Sequence, residues 1–330
     1  MRVLSAEDVR QAVPMTDAID AVAHGFAQLA AGAAEVPLRT PIHVPEHKAV
    51  SLFMPARIGG EGGALGLKVV SVFPENSVRF GKPSIHALVV LIDPASGRPL
   101  ATIDATYLTA LRTGAASGLA TRLLARENAK TLALFGVGGQ ALTQVLAVLA
   151  VRPIEDIWIV NRTRDHVAIF ASKLRSAGVT INIRLAADAQ HALAQADVVC
   201  TATSSTEPLF HADDVRPGTH INAIGTYTPA MAELPPDLLP RTRLFVDQRA
   251  AAWAEAGELV QARARNLIDE SSIAGEIGEL VLGTVTGRSS DGQISVFKSV
   301  GNAVQDLAVG TVALARAQTM NLGVEIDMGE

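Results

Sequence analysis

Lys68 sits in the run Gly66-Leu67-Lys68-Val69-Val70, flanked on both sides by apolar residues. An ammonium in such a strand is costly unless it is paired or does chemistry. Arg112 stands in Leu111-Arg112-Thr113-Gly114, followed by the small-residue run 114–118 that lets a ligand or a neighbouring backbone come close. A guanidinium fork together with a point charge is what a small carboxylate needs from a protein. Arg39, in Val36-Pro37-Leu38-Arg39-Thr40-Pro41, is a third cation, placed on a loop.

A second constellation is Leu134-Phe135-Gly136-Val137-Gly138-Gly139-Gln140-Ala141. It follows an apolar strand, opens a helix and begins a strand–helix–strand unit, the context a dinucleotide fingerprint requires. Gly136 permits the tight turn, Gly138 and Gly139 leave the backbone open to a pyrophosphate, and Ala141 lets helix and strand pack closely. With Gln140, these residues form the cofactor cradle, and the helix N-terminus favours phosphate. The next strand ends at Asn161-Arg162-Thr163. An NAD site normally places an acid there, roughly 20 residues after the fingerprint, to bind the ribose hydroxyls. A neutral Asn161, a cationic Arg162 and a donor Thr163 suit a 2′-phosphate instead, so the expected cofactor is NADPH, with NADH used less efficiently. Thr201-Ala202-Thr203 follows the fourth strand, where a loop passes the nicotinamide ribose. Cys200, just inside that strand, reads as packing, because no His or Lys stands near it in sequence to lower its pKa.

The elements that hold these residues alternate in two textures. Residues 3–30 read as an N-cap (Ser5) and two helices, the second opened by Pro14. From 36 to 100, apolar runs at 50–54, 65–73 and 85–93 are separated by the turns 59–63 and 94–97, which predicts an antiparallel sheet. A helix over 105–125 precedes strands at 131–135, 156–160, 180–184, 197–201, 220–223 and 244–246, with helices between the first four. That rhythm predicts a parallel sheet with right-handed crossovers. A strand at 294–297 and a helix at 299–317 close the chain. The expected fold class is α/β: a Rossmann-type doubly wound parallel sheet over 118–299, plus an α+β substrate-binding and dimerisation domain from 1–117 and 300–330.

Bulk properties narrow the function classes. The chain has 330 residues, 48% hydrophobic and 18% charged, with net charge −5. This describes a globular protein rather than a disordered one or a polyanion binder, and nucleic acid is not an expected partner. No apolar run is long enough to span a membrane, and the start of the chain has acids where a signal peptide needs an apolar run. With the lone cysteine these features predict a cytoplasmic protein without disulfides. The eight histidines lack metal-ligand spacing, so no metal is expected. His86, in Ser84-Ile85-His86-Ala87, either lines the site with Met54 or is structural.

With those segments in hand, the chain resembles the ornithine cyclodeaminase / mu-crystallin family over nearly its whole length. The residues that carry the likeness are Gly66–Val70, Arg112-Thr113-Gly114-Ala115-Ala116-Ser117, Gly136–Ala141, Asn222-Ala223-Ile224-Gly225 and Val296-Phe297-Lys298-Ser299-Val300-Gly301-Asn302-Ala303. The resemblance implies a nicotinamide cofactor and an amino or imino acid substrate. It implies that Lys68, Arg112 and Arg39 hold the substrate carboxylate, and that Lys68, its pKa depressed by burial and the arginines, protonates the imine nitrogen. Thr226, Ser299 and Val300 are expected beside the nicotinamide.

Family cyclodeaminases carry an acid two places after the glycine matching Gly225 and another just before Met-Pro; here those positions read Tyr227 and, in Ser51-Leu52-Phe53-Met54-Pro55, an apolar wall. The pocket is therefore expected to keep a surplus of positive charge and to disfavour a diamine. The leading expectation is NADPH-dependent reduction of cyclic ketimine carboxylates, Δ1-pyrroline-2-carboxylate or Δ1-piperideine-2-carboxylate, to L-proline or L-pipecolate by a homodimer. The alternatives are an NAD-recycling ornithine cyclodeaminase, an alanine or N-alkylamino-acid dehydrogenase, and a non-catalytic NADPH-binding protein.

Overall fold

The computed structural model describes residues 1–60 and 62–329. Its first strands are β1 (Arg2–Leu4), β2 (Ala34–Glu35), β3 (Thr40–Val44), β4 (Ala49–Ile58), β5 (Ala64–Val72), β6 (Ile85–Ile92) and β7 (Pro99–Asp104). Next come β8 (Thr131–Phe135), β9 (Asp156–Val160), β10 (Asn182–Leu185), β11 (Val198–Thr201) and β12 (His220–Ala223). The last are β13 (Arg243–Val246), β14 (Ile273–Glu276), β15 (Ser295–Lys298) and β16 (Val324–Glu325). The helices are α1 (Ala6–Ala12), α2 (Met15–Ala30), α3 (Asn76–Phe80), α4 (Ala105–Leu124), α5 (Ala141–Leu149) and α6 (Arg164–Ser176). They continue with α7 (Ala189–Leu193), α8 (Arg249–Glu255), α9 (Gly257–Ala264), α10 (Ile277–Val281) and α11 (Ala303–Met320).

The chain divides into Met1–Arg112 with Asn302–Glu330, and Thr113–Gly301. The division falls inside α4, a continuous helix with no Gly-Pro break to mark it. The first unit is a mixed sheet in the order β16-β1-β7-β6-β5-β4-β2, with β3 also on β4. Its centre, β4 to β7, is antiparallel. Alternation decides what each face carries. Leu52, Met54, Lys68, Val70, Val89, Leu91 and Ile103 share the buried face, and α11 lies across β4, β5 and β6. The N-terminus holds a strand as well as helices: β1 pairs parallel with β7 and antiparallel with β16. At three residues it is too short to show a period.

The second unit is an all-parallel sheet in the order β10-β9-β8-β11-β12-β15-β13-β14. Its strands bury both faces. Ala133, Phe135, Val199, Ile221 and Val296 pack on one side; Leu132, Leu134, Ile157, Ile159 and Val198 pack on the other. β15, late in the chain, inserts between β12 and β13, and β14 adds an edge that residues 270–280 do not announce as apolar. The chain winds from β8 outward to β10, then restarts on the other side of β8 with β11. The point where strand order reverses, between β8 and β11, is where open α/β sheets bind ligands, beyond the carboxyl ends of the strands.

Candidate active site

In the first unit the register places Met54 opposite Lys68 and Val89 on its other side. Lys68 is 1% exposed, and its ammonium donates to Asp306 Oδ1 at 2.9 Å. The same oxygen accepts from Arg112 Nε at 3.2 Å, while Arg112 Nη1 donates to Gln305 Oε1 at 2.7 Å. Gln305 and Asp306 lie in the first turn of α11. Asn302 caps that helix through Val304 N, and Gln305 Oε1 returns the favour at Asn302 N at 2.9 Å. One glutamine thus closes a capping box and receives the guanidinium. Asp306 Oδ2 and Gln305 Nε2 are buried and have no hydrogen-bond partner among the described residues.

Burial, the Arg112 charge and the Arg39 charge push the Lys68 ammonium down to about 7, against an opposing pull from Asp306. Arg39, partly buried, is therefore within electrostatic reach of Lys68. Two expectations are corrected. His86 pairs with Ser71, so it shares the opposite face of the sheet from Lys68 and is exposed there; the two-residue period of β6 excludes it from the lysine's surroundings. Phe53 is on that outer face too, so only Leu52 and Met54 form the apolar wall beside Lys68. The expected surplus of positive charge is also reduced, because Asp306 supplies a carboxylate that no local pattern marked.

In the second unit the Gly136 turn meets the Ala202–Thr203 loop at the switch point. Gly136 has φ +91°, and a Cβ there would lie 2.8 Å from both Ala202 O and Thr203 Cγ2. Gly138 and Gly139 are exposed, with nothing within 4 Å of where their Cβ atoms would be. Ala141 is fully buried at the start of α5. Tight turn, open backbone and close helix contact are the three things a pyrophosphate cradle needs, and these residues fit a dinucleotide. Beyond β9, Arg162, Thr163 and Arg164 are exposed, and Asn161 Nδ2 donates to Thr163 O at 2.8 Å.

Beneath the loops lies a buried polar network. Glu233 accepts from Thr201 Oγ1, from Thr203 N and Oγ1, and from Gly225 N, at 2.6 to 2.9 Å. Its pKa is raised by desolvation, with Lys298 opposing. A Cβ at Gly225 would lie 2.3 Å from Thr203 O and 2.4 Å from Glu233 Oε1, so only glycine fits. Thr226 is fully buried, donating to Glu258 at 2.8 Å and accepting from Lys298. Its hydroxyl, expected to line the site, is committed to that pair instead. Lys298 Nζ lies 3.6 Å from Glu258 Oε2 and donates to Thr226 O at 2.8 Å. Asp247 Oδ2 accepts from Ser299 Oγ, Val300 N and Gly301 N. Ser299 and Val300 are thus held by Asp247, with their side chains buried. Cys200 is buried, bonded by Asn222 Nδ2, and burial pushes its thiol up to about 12, which leaves it inert. No group of His, Cys, Asp or Glu among the described residues is arranged to hold a metal ion. Nor is any of their helices long and apolar enough to cross a membrane.

Residues 1–321 match the model of the ornithine cyclodeaminase/mu-crystallin family. The chain belongs to that family. It is 38% identical to a Delta(1)-pyrroline-2-carboxylate reductase of Bacillus cereus, over 99% of this chain and 100% of that one. Its fold is similar to that of the Thermococcus litoralis Delta(1)-pyrroline-2-carboxylate reductase in complex with NADH and L-proline, with TM-score 0.94, 36% identity, and coverage of 99% and 100%. An archaeal alanine dehydrogenase dimer with bound NAD is also similar, with TM-score 0.92, 34% identity and 99% of both chains covered.

Proposed function

We propose that this family member is an NAD(P)H-dependent imine reductase that converts Δ1-pyrroline-2-carboxylate or Δ1-piperideine-2-carboxylate to L-proline or L-pipecolate. The observation that carries this reading is Lys68: a buried ammonium whose pKa is lowered to about 7, beside Arg112 and opposite Met54. The relatives that reduce Δ1-pyrroline-2-carboxylate, one of them holding NADH and L-proline, support it.

Gly136, Gly138, Gly139, Gln140 and Ala141 would hold the pyrophosphate of the nicotinamide cofactor, with Ala202 and Thr203 bordering it. When bound, that cofactor supplies a hydride to the imine carbon. Arg112 and Arg39 hold the substrate carboxylate through charge-assisted bonds. Leu52 and Met54 present an apolar surface to the ring. Lys68 gives its proton to the nitrogen, so that the C=N bond becomes CH–NH. With a pKa near neutrality it is both protonated often enough and acidic enough to do so. Arg162 and Thr163, with no acid at the end of β9, favour NADPH over NADH. The protein acts as a homodimer.

The test is a spectrophotometric assay of NADPH and NADH oxidation with both cyclic imines and with pyruvate plus ammonia, run beside ammonia release from ornithine. Oxidation dependent on a cyclic imine is expected. Ammonia released from ornithine faster than either imine is reduced would replace this reading with a cyclodeaminase, a substrate class to which Asp306 offers a counter-charge.

A further inference from the structure

We propose that Asp306 is the positioning residue of this site: from the first turn of α11 it holds the Lys68 ammonium and aims Arg112. The inference rests on the reductase reading and deepens it. A single carboxylate oxygen, Oδ1, receives both the Lys68 ammonium at 2.9 Å and Arg112 Nε at 3.2 Å. Asp306 is wholly buried, so water does not screen the pair. Its other oxygen has no partner among the described residues, although a buried carboxylate oxygen without a donor is costly. The carboxylate that bears that cost bonds both cations that the reaction needs through one oxygen.

The charged groups facing Lys68 are Arg112 from α4, Asp306 from α11 and Arg39 from the loop before β3. Two of the three oppose its proton, and only Asp306 holds it. Without Asp306 the lysine would hold its proton less tightly, so less of it would be protonated at neutral pH. Gln305, bonded to Arg112 Nη1 and closing the α11 cap, makes the same helix terminus the support for the guanidinium. The unpartnered Oδ2 is then available to a donor that arrives with the substrate, its N–H or a water.

The test reads Lys68 directly. The chain has six lysines, so uniformly 13C-lysine-labelled protein gives a short list of Cε resonances, of which Lys68→Met removes one. In Asp306→Asn that resonance should titrate at least one pH unit lower than in the unmodified protein. In steady-state assays the high-pH limb of kcat should move the same way. At pH 7.5, kcat should fall about tenfold or more while the KM for the cofactor stays unchanged. Asp306→Glu keeps the charge and should restore most of the titration, which a purely structural role would not predict; if Asp306→Asn does not fold, Asp306→Ser removes the charge in its place and should lower the lysine's titration in the same direction. An unmoved Lys68 titration in whichever neutral variant folds overturns the proposal. The NMR arm does not depend on turnover: if Lys68 shifts as expected but no cyclic imine is reduced, the reductase reading fails and the role of Asp306 stands.

Discussion

A lysine on a half-apolar strand is visible in sequence because its burial has to be explained; in the structure Asp306 is its counter-charge, while Arg112 and Arg39 oppose its proton. Lys68 should carry the proton of the reaction, so Lys68→Ala should lower kcat by about 10²–10⁴, measured by cofactor oxidation at saturating imine. The sign of the pH dependence follows from its role as an acid. The protonated form prevails below about 7, and the rate should decline as pH rises through that value. On the proposed reading Arg112→Ala should act mainly through KM for the imine, since the guanidinium would hold a carboxylate present in both ground and transition states. A rate that rises from pH 6 to 9 would exclude Lys68 as the acid. Arg162 is exposed beyond β9 with Arg164 two residues on. Removing it should cost roughly 1.5–3 kcal/mol of 2′-phosphate binding, or about one to two decades in affinity. Comparing kcat/KM for NADPH and NADH in Arg162→Ala checks this, and a mutant that keeps the original ratio would refute it. Lys68, Arg112 and the Gly136 turn were legible because each is an anomaly within its own segment. Asp306 was not. An acid in the first turn of a capped helix is what the helix dipole alone would select. The available signal was that α11 is apolar on nearly every side, so an acid within it needed a cation elsewhere.

At the scale of elements, loops at the carboxyl ends of parallel strands are usually loose, and here they are sewn from below. Glu233 ties the loops after β11 and β12, and Glu258 with Lys298 holds Thr226 between them. Breaking a buried pair from one side strands a charge and costs about 3–5 kcal/mol, whereas removing both partners costs much less. Glu258→Leu and Lys298→Met should therefore each lower Tm clearly, and the double variant should be more stable than their sum. Calorimetry of the four proteins checks this; strict additivity would mean the two charges do not interact. The parallel strands themselves were readable from their apolar runs and spacing. β15 falling between β12 and β13 was not, because strand order depends on which faces remain uncovered and not on local pattern. His86 and Phe53 show the same limit at finer grain. Their strands were found, but the face each residue takes depends on the β4–β5–β6 register, and a one-residue slip reverses it.

At the scale of the molecule, the two faces of the mixed sheet are treated differently. α11 covers one of them. On the other, Phe53, Val69 and Leu88 follow one another across β4, β5 and β6, and Ile42 of β3, paired with Ser51, shares that face; Ile42 is 54% and Leu88 38% exposed. Beyond the ends of these strands, Leu38, Val78 and Phe80 are exposed as well. Contiguous apolar surface of this kind marks an interaction face rather than a solvated one. The occupant that serves a homodimer is the same face of a second copy, which a two-fold axis makes self-complementary. Light scattering at micromolar concentration should therefore give about twice the 34.5 kDa of one chain. Replacing Ile42 and Leu88 together with Asp and Lys should shift it toward one chain, because two charges would enter an apolar interface. The Lys68 face is turned the other way, so the far-UV spectrum and cofactor binding of that variant should persist. An unmodified protein that stays monomeric at tens of micromolar, or a double variant that remains dimeric, would show that this face is not where the copies meet.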